Sequence, residues 1–212
     1  DFRVLNDKLT AVEGIDRAAV QIIENNYPVP ALIDFSSNEY GVGLNVYFVV
    51  DQGQLTNQKV VKLALERYAN KYMREGLDNV AIISSEKNKE GSNITLVETS
   101  SVSEFSSVVN QMPTWIGYRR SPFPAIIEAL NKIKANDYGC ARSNVIIVLA
   151  GQDSSIDPEK GLGSEEKALA HDLLATHTPI HFVHVDSGKF INGEQAYKDF
   201  TDLAKGTYRQ VI

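Results

Sequence analysis

The sequence predicts an α/β fold in which a mostly parallel sheet is covered by helices on both faces. Two apolar runs carry this prediction, Leu44–Asp51 and Asn144–Ala150, because each is nearly continuous and ends where polar or small residues begin. Such runs are typical of strands that are buried on both faces. Segments with helical spacing of apolar residues alternate with the strands, as a three-layer, doubly wound sandwich requires.

Beyond residue 44 the predicted order of elements is β-α-β-β-α-α-β-α-β-α-β. Further strands are predicted at residues 79–85, 93–97, 180–185 and 208–212. The polar segment Lys87–Ser92 is a hairpin signal, so the strand that begins at Asn93 is expected to be an antiparallel edge strand. The helices are predicted from apolar spacing. Their expected buried residues are Val61, Ala64, Leu65, Tyr68 and Tyr72; Phe105, Val108, Val109 and Met112; Ile126, Ile127, Leu130 and Ile133; Leu169, Leu173 and Leu174; and Ala196, Tyr197, Phe200 and Leu203.

The ends of the helices also carry signals. Pro124 suits a first helical position, Ser164 suits an N-cap, and Gly206 suits a C-terminal glycine. Residues 5–25 have helical apolar spacing, and the segment Tyr27–Pro30 is expected to end that helix. We therefore predict that residues 1–43 form a helix and an extended segment packed on the core of a domain at residues 44–212.

Composition bounds the possible functions. The formal net charge of the 212 residues is −6, which argues against nucleic acid as a partner, because phosphate neutralisation needs clustered lysines and arginines. No apolar run approaches the ~18 residues of a membrane span, so we expect no membrane insertion. The chain begins at Asp1 rather than Met, which indicates processing or a longer parent chain, and its single cysteine, Cys140, excludes an internal disulfide.

The order of elements resembles that of the von Willebrand factor type A domain, the family of the integrin inserted domain, the matrilins and the collagen-associated A domains. The resemblance covers residues 44–212. It rests on four segments in order, Val46–Asp51, Phe105–Met112, Ile127–Leu130 and Val145–Leu149. It implies a non-enzymatic module that binds other proteins.

The family binds a divalent cation at the carboxyl edge of its sheet. Its ligands are an Asp-x-Ser-x-Ser motif after the first strand, a Thr before a later helix and an Asp after the fourth strand. Asp51 retains the first position, whereas the other four positions hold Gly53, Leu55, Pro124 and Gly151. Hard cations need several oxygen ligands, so we expect a degenerate metal-ion-dependent adhesion site without a metal or another cofactor. The alternative is a shifted register that recruits Thr56, Ser121 or Asp153.

Other candidate sites are weaker. Four histidines cluster in sequence, but His181 and His184 fall on opposite faces of a predicted strand and cannot share a metal without distortion. The segment Gly161–Ser164 opens a helix and could bind an anion, but a simple loop-to-helix entry is the favoured interpretation. The sequence has no nucleophile elbow, no phosphate-binding loop and no zinc spacing. An α/β hydrolase-type enzyme is therefore the least supported reading.

The loop at residues 113–123 is rich in the aromatic and arginine residues that dominate protein interfaces. We predict that the partner-binding surface is the carboxyl edge of the sheet, where an arginine replaces the lost cation and meets an acidic residue of the partner. Its predicted residues are Asp51, Tyr118, Arg119, Arg120, Gln152 and Asp153. The alternative is that Trp115 and Phe123 belong to the core and the arginines are merely solvated.

The expected setting is an adhesion or matrix protein, secreted or at the cell surface. The sequon Asn93-Ile-Thr95 predicts N-glycosylation at Asn93 and favours this setting slightly. The alternative is an intracellular scaffold, from the branch of the family that serves DNA repair, proteasome or coat assemblies and often lacks the metal.

Overall fold

A computed structural model of the protein describes residues 22–24, 27–29, 43–50, 58–87, 93–112, 121–135, 142–150, 161–185 and 194–211. The chain divides into two compact units, Asp1–Gly41 and Val42–Ile212. Among the described residues, no helix is both long and apolar enough to cross a membrane.

The described part of the first unit is a pair of short antiparallel strands. Strand β1 (Ile22–Glu24) pairs with β2 (Tyr27–Val29), and the register places Glu24 opposite Tyr27. The predicted helix over residues 5–25 is therefore wrong at its end. Ile22 and Ile23 are β-branched, and the sequence between the strands is Asn25-Asn26, a residue type favoured in two-residue hairpin connections. The rest of that predicted helix and its packing on the core lie outside the described residues.

The second unit contains a six-stranded sheet. Its strands in chain order are β3 (Gly43–Val50), β4 (Asn79–Lys87), β5 (Asn93–Thr99), β6 (Arg142–Ala150), β7 (Ile180–Val185) and β8 (Thr207–Val211). Their spatial order is β5-β4-β3-β6-β7-β8. All neighbours are parallel except β4 and β5, so β5 is the predicted antiparallel edge strand. The fold class predicted from the sequence is confirmed.

Within the described residues, five helices cover the two faces of this sheet. They are α1 (Gln58–Lys71), α2 (Val102–Gln111), α3 (Phe123–Ala135), α4 (Ser164–Ala175) and α5 (Glu194–Leu203). Helices α1 and α2 pack on one face, and α3, α4 and α5 pack on the other. The strand β3 shows the division directly. Tyr47 and Val49 point into the core under α3–α5, whereas Val46, Phe48 and Val50 point into the core under α1 and α2.

The core under α3–α5 contains an aromatic cluster. Phe123, Phe182, Tyr197 and Phe200 are each at most 3% exposed. The ring centroids of Phe123 and Phe200 are 4.9 Å apart in an edge-to-face arrangement, and those of Phe182 and Tyr197 are 5.0 Å apart and stacked. Aromatic pairs in these geometries are favourable beyond their area of burial. The cluster contains residues of α3, α5 and β7. It therefore fixes the start of α3 and helix α5 to strand β7.

Several helical residues predicted to be buried are exposed instead. Ala64 is exposed, and the exposed fractions are 65% for Tyr72, 39% for Ile127, 43% for Leu174 and 36% for Leu203. Each is next in the chain to a buried apolar residue, namely Leu65, Met73, Ile126, Leu173 and Ala204. Successive helical residues are about 100° apart around the axis, so a narrow contact buries only one of two adjacent apolar side chains.

The ends of α4 and α5 share one geometry. His177 and Lys205 have positive φ angles of 51° and 54°. The next residue donates its N–H five residues back, from Thr178 to the Leu173 carbonyl at 3.0 Å and from Gly206 to the Thr201 carbonyl at 2.7 Å. These are Schellman motifs. Gly206 therefore follows the left-handed position rather than occupying it. A glycine is needed at position 206 because a β-carbon there would clash with Ile180 of β7. The N-cap of α4 is Gly163 rather than the predicted Ser164.

Candidate functional site

The carboxyl edge of the sheet contains a topological switch point between β3 and β6. From β3 the chain crosses to β4 on one side, and it later returns to β6 on the other. The register pairs Val50 with both Ser84 and Leu149, so the ends of these three strands lie at one edge. Ligands of open α/β sheets bind in the crevice outside the carboxyl ends of the strands at such a point.

The residues predicted to bind the partner follow these strand ends in the chain. Asp51 comes directly after β3, and Gln152 and Asp153 come shortly after Ala150, the last residue of β6. All of these, and Tyr118, Arg119 and Arg120, lie outside the described residues. The topology brings the two strand ends together, whereas the assignment of the six side chains to one binding surface stays a prediction.

Two serines at the same edge were missed by the sequence interpretation. Ser84 and Ser85 lie near the carboxyl end of β4 and are 0% and 3% exposed. Val50, the last residue of β3, is in register with Ser84. Both serines have interaction partners in the fold. The signal in the sequence was the abrupt change from the apolar run Val80–Ile83 to two small polar residues within one strand.

Among the five ligand positions of the family's cation motif, the described residues near this edge include one. Pro124, at the Thr position of the family's motif, is the second residue of α3 and has no side-chain oxygen. Ser121 was an alternative ligand, but its Oγ accepts a hydrogen bond from the backbone N–H of Phe123 at 3.3 Å. Within the described part of the chain, no group of three His, Cys, Asp or Glu side chains could hold a metal ion. Thr56 and Asp153 lie outside it.

We expect stability to be independent of divalent cations. Thermal unfolding midpoints in millimolar Mg²⁺, in Mn²⁺ and in EDTA should coincide, because only a ligand that binds the native state raises the midpoint. The control is a type A domain with a complete Asp-x-Ser-x-Ser motif, measured in the same buffers. A clear upward shift of this protein's midpoint in Mg²⁺ would show that a cation site survives in a shifted register.

The two histidines of β7 point to opposite faces, as the alternation of the strand predicts. His184 is fully buried under α5, with its Nδ1 2.6 Å from the Tyr208 hydroxyl and its ring edge-on to Tyr197. His181 is half-buried on the other face, and its Nδ1 is 2.8 Å from the Thr207 hydroxyl. The two imidazoles have separate partners and cannot ligate one metal ion.

A buried carboxylate lies at the opposite, amino edge. Asp78 is 1% exposed. It accepts hydrogen bonds from the backbone N–H of Leu44 at 2.9 Å and from the backbone N–H and Nε of Arg74 at 2.9 and 3.1 Å, and Arg74 Nη2 lies 2.5 Å from its Oδ1. Burial opposes ionisation of Asp78, but the guanidinium and the two backbone N–H groups outweigh it and hold the pKa of this carboxyl below its usual value. Asp78 thus ties the start of β3 to the turn before β4 and is structural.

We expect Asp78→Asn to lower the free energy of unfolding at pH 7 by about 2 kcal/mol, because buried N–H donors lose a charged acceptor. The folded-state pKa of Asp78 is lowered, so its contribution is present above the unfolded pKa of about 4 and is lost as pH falls through the folded pKa. The difference between wild type and variant should therefore shrink in acid. The measurement is urea unfolding at pH 7 and pH 3.

Asp172→Asn is the matched control for this change. Asp172 also forms an ion pair, with Lys134 at 2.9 Å, but its side chain is 58% exposed. An exposed pair contributes about 0–1 kcal/mol. Equal losses in the two variants at pH 7 would contradict the structural role assigned to Asp78.

No family model matches the sequence, and no curated protein matches it. Solved structures do match its fold. The SpRpn10 VWA domain aligns with a TM-score of 0.58 and 14% identity over 80% of this chain and 88% of that domain. Proximal thread matrix protein 1 of the mussel byssus, with a zinc-occupied MIDAS motif, aligns with a TM-score of 0.59 and 11% identity over 79% of this chain and 41% of that one.

A von Willebrand factor type A protein from Catenulispora acidiphila aligns with a TM-score of 0.59 and 9% identity, over 80% of this chain and 39% of that one. The human COPII-coat protein Sec24c aligns with a TM-score of 0.54 and 10% identity, over 84% of this chain and 30% of that one. The chain spans less than half of each of these two proteins. Identities this low carry information about the fold alone. The chain has the von Willebrand factor type A fold.

Proposed function

We propose that the chain is a non-enzymatic protein-interaction module that binds its partner at the carboxyl edge of the sheet without a divalent cation. One observation carries this proposal. The carboxyl ends of β3 and β6 meet at the switch point, and at this edge the ligand position that the structure describes is a proline. The fold supports an interaction role, and the neighbouring loop sequence supplies Arg119 and Arg120 in place of a cation.

The proposed partner group is a carboxylate. A guanidinium offers hydrogen-bond donors in a fork that matches a carboxylate, and it needs no preformed cage of oxygen ligands. An arginine in place of the cation keeps a positive charge at the centre of the site. If the pair is desolvated in the complex, its disruption costs several kcal/mol, whereas a rim-exposed pair contributes about 0–1 kcal/mol.

The test compares two double variants that remove the same charge from opposite edges. The partner is identified by copurification with the complete chain, and its Kd is then measured for Arg119→Ala/Arg120→Ala. The control is Lys132→Ala/Lys134→Ala, in the last turn of α3 at the amino edge. We expect at least a tenfold loss of affinity for the first variant and none for the second. A loss of affinity for the lysine variant but not for the arginine variant would show that the binding site lies at the amino edge instead.

For the compartment, we propose an adhesion or matrix protein, secreted or at the cell surface. The sequon supports this, because Asn93 begins β5, an edge strand that follows the polar segment Lys87–Ser92. The likeness to a matrix protein of the mussel byssus is consistent with it. Glycosidase treatment of the protein from its native source should reduce its mass, and Asn93→Gln should abolish that reduction.

An intracellular scaffold is the second candidate. It is favoured by the likeness to the SpRpn10 VWA domain, of which this chain spans 88%, and to the coat protein Sec24c. A native protein with an unmodified Asn93 that copurifies with an intracellular assembly would support this candidate over the first.

A further inference from the structure

Helix α1 has apolar side chains on two sides. Its inward side buries Val61, Leu65 and Ala69 against the sheet and α2. Its outward side presents Val60 and Leu63, which are 42% and 63% exposed, with Ala64 beside them. A helix with one packed face normally has a polar outer face. The outward apolar residues of α1 therefore exceed what the packing of this domain requires.

The same outward side carries two exposed cations, Arg67 and Lys71, and no exposed acid, and a third exposed cation, Lys59, flanks it. Lys59, Arg67 and Lys71 are exposed, and the spacing of residues 60, 63, 64, 67 and 71 places them along one side of the helix. The single acidic residue of α1 is Glu66, which is half-buried. We call the outward side, formed by Val60, Leu63, Ala64, Arg67 and Lys71, together with the flanking Lys59, the α1 ridge.

The cations of the α1 ridge differ from other surface lysines. Lys132, Lys134 and Lys198 each pair with an acid on the surface, at 2.9, 2.9 and 2.5 Å. Among the described residues, Lys59, Arg67 and Lys71 have no such ion pair. Lys62, on the inward side, is engaged, since its Nζ lies 2.5 Å from the Met112 carbonyl at the end of α2. The ridge thus concentrates unneutralised positive charge on a chain whose net charge is −6.

The exposed apolar residues of the other helices do not form a comparable surface. Ile127, Leu174 and Leu203 lie singly on α3, α4 and α5. Isolated exposed apolar residues are normal on a soluble surface. Val60 and Leu63 instead lie one turn apart on one side of one helix.

We propose that the α1 ridge docks an acidic amphipathic helix of a partner protein. The 14 residues of α1 span about 21 Å, a length that fits a partner helix of similar size packed alongside. The leucines of such a helix would cover Val60, Leu63 and Ala64, while its carboxylates meet the flanking cations. The net charge of −6 disfavours an anionic membrane as the occupant, because the rest of the chain would be repelled from it. The residues of the α1 ridge are not among those proposed for the carboxyl-edge site.

The probe is a synthetic peptide of roughly 18 residues, with leucines at helical spacing and glutamates elsewhere. A second peptide has lysines in place of the glutamates. Binding to the complete chain is measured by fluorescence anisotropy. We expect the acidic peptide to bind, with an affinity that falls as salt is raised. We expect Leu63→Ser and Arg67→Glu each to weaken it at least tenfold.

Matched controls lie on α4. Leu174→Ser removes an exposed leucine, and Lys167→Glu reverses an exposed lysine, each outside the α1 ridge. Both should keep the wild-type Kd, and all four variants should keep the wild-type thermal midpoint. The proposal is overturned if the acidic peptide does not bind, if the lysine peptide binds as tightly, or if the α4 variants weaken binding equally. Binding to phosphatidylserine vesicles but not to the acidic peptide would also overturn it and would identify a membrane as the occupant.

Discussion

Phe200→Ala is expected to lower the free energy of unfolding by about 3–5 kcal/mol, the range for removal of a buried phenylalanine. Phe200 is 0% exposed, and its ring contacts Phe123 and Phe182 with centroid distances of 4.9 and 5.9 Å. These partners come from α3 and β7, which also pack against other core residues, so the site cannot close around the missing ring. For a protein of this size the loss corresponds to a fall in Tm of roughly 10 °C.

The matched control is Leu203→Ala, one turn further along α5, where the side chain is 36% exposed. Truncation there removes less buried surface and leaves no closed cavity, so we expect a loss of about 1 kcal/mol or less. Urea unfolding of both variants provides the comparison. Similar losses at the two positions would contradict the assignment of the aromatic cluster as the centre of this core.

Gly206→Ala is expected to be the second severe change, with a loss of about 2–3 kcal/mol from overpacking. A β-carbon at this position would lie 2.3 Å from the Ile180 carbonyl oxygen and 2.8 Å from Ile180 Cγ2. The carbonyl belongs to the first residue of β7, which is paired on both sides by β6 and β8. To relieve the clash, the segment that joins α5 to β8 must move away from the start of β7.

Gly163→Ala tests this reasoning with a similar short contact. A β-carbon there would lie 2.5 Å from Glu166 Oε2, the end of a flexible side chain that can rotate away. We expect a loss of about 1 kcal/mol or less at Gly163, the cost of placing alanine at the N-cap of α4. Thermal unfolding of the two alanine variants should therefore separate them clearly. A severe loss at Gly163 together with a mild one at Gly206 would show that backbone proximity does not decide the cost.

The fold could be predicted from the sequence because its information is local. The runs at residues 44–50 and 144–150 are apolar on both strand faces, and the structure places them side by side at the centre of the sheet. Strand β7 has the predicted bounds, Ile180–Val185, because a single apolar segment lies between polar ones. Helical stripes were less reliable where two apolar residues are adjacent, as at Ile126 and Ile127. The apolar spacing does not indicate which of the two side chains packs against the neighbouring strand or helix.

Long-range contacts could not be predicted in this way. Asp78 is a surface-type residue in sequence, and it is buried because Leu44, 34 residues earlier, supplies a hydrogen bond once β3 lies beside β4. Ser84 and Ser85 gained their position from the register with Val50. The Lys62 side chain of α1 reaches the Met112 carbonyl at the end of α2, a contact that no local pattern encodes. The carboxyl ends of β3 and β6 are brought together at the switch point by the order of strands in the sheet.

A crosslinking measurement tests the central claim, that the carboxyl edge binds a protein without a cation. A photo-crosslinking aromatic residue replaces Tyr118 in the complete chain, and the control chain carries it in place of Lys134 at the amino edge. Each is irradiated with the copurified partner in Mg²⁺ and in EDTA. A cation-independent site at the carboxyl edge predicts a crosslink from position 118 with equal yield in both buffers, and little crosslinking from position 134. A crosslink that disappears in EDTA, or one that forms from position 134 alone, would contradict it.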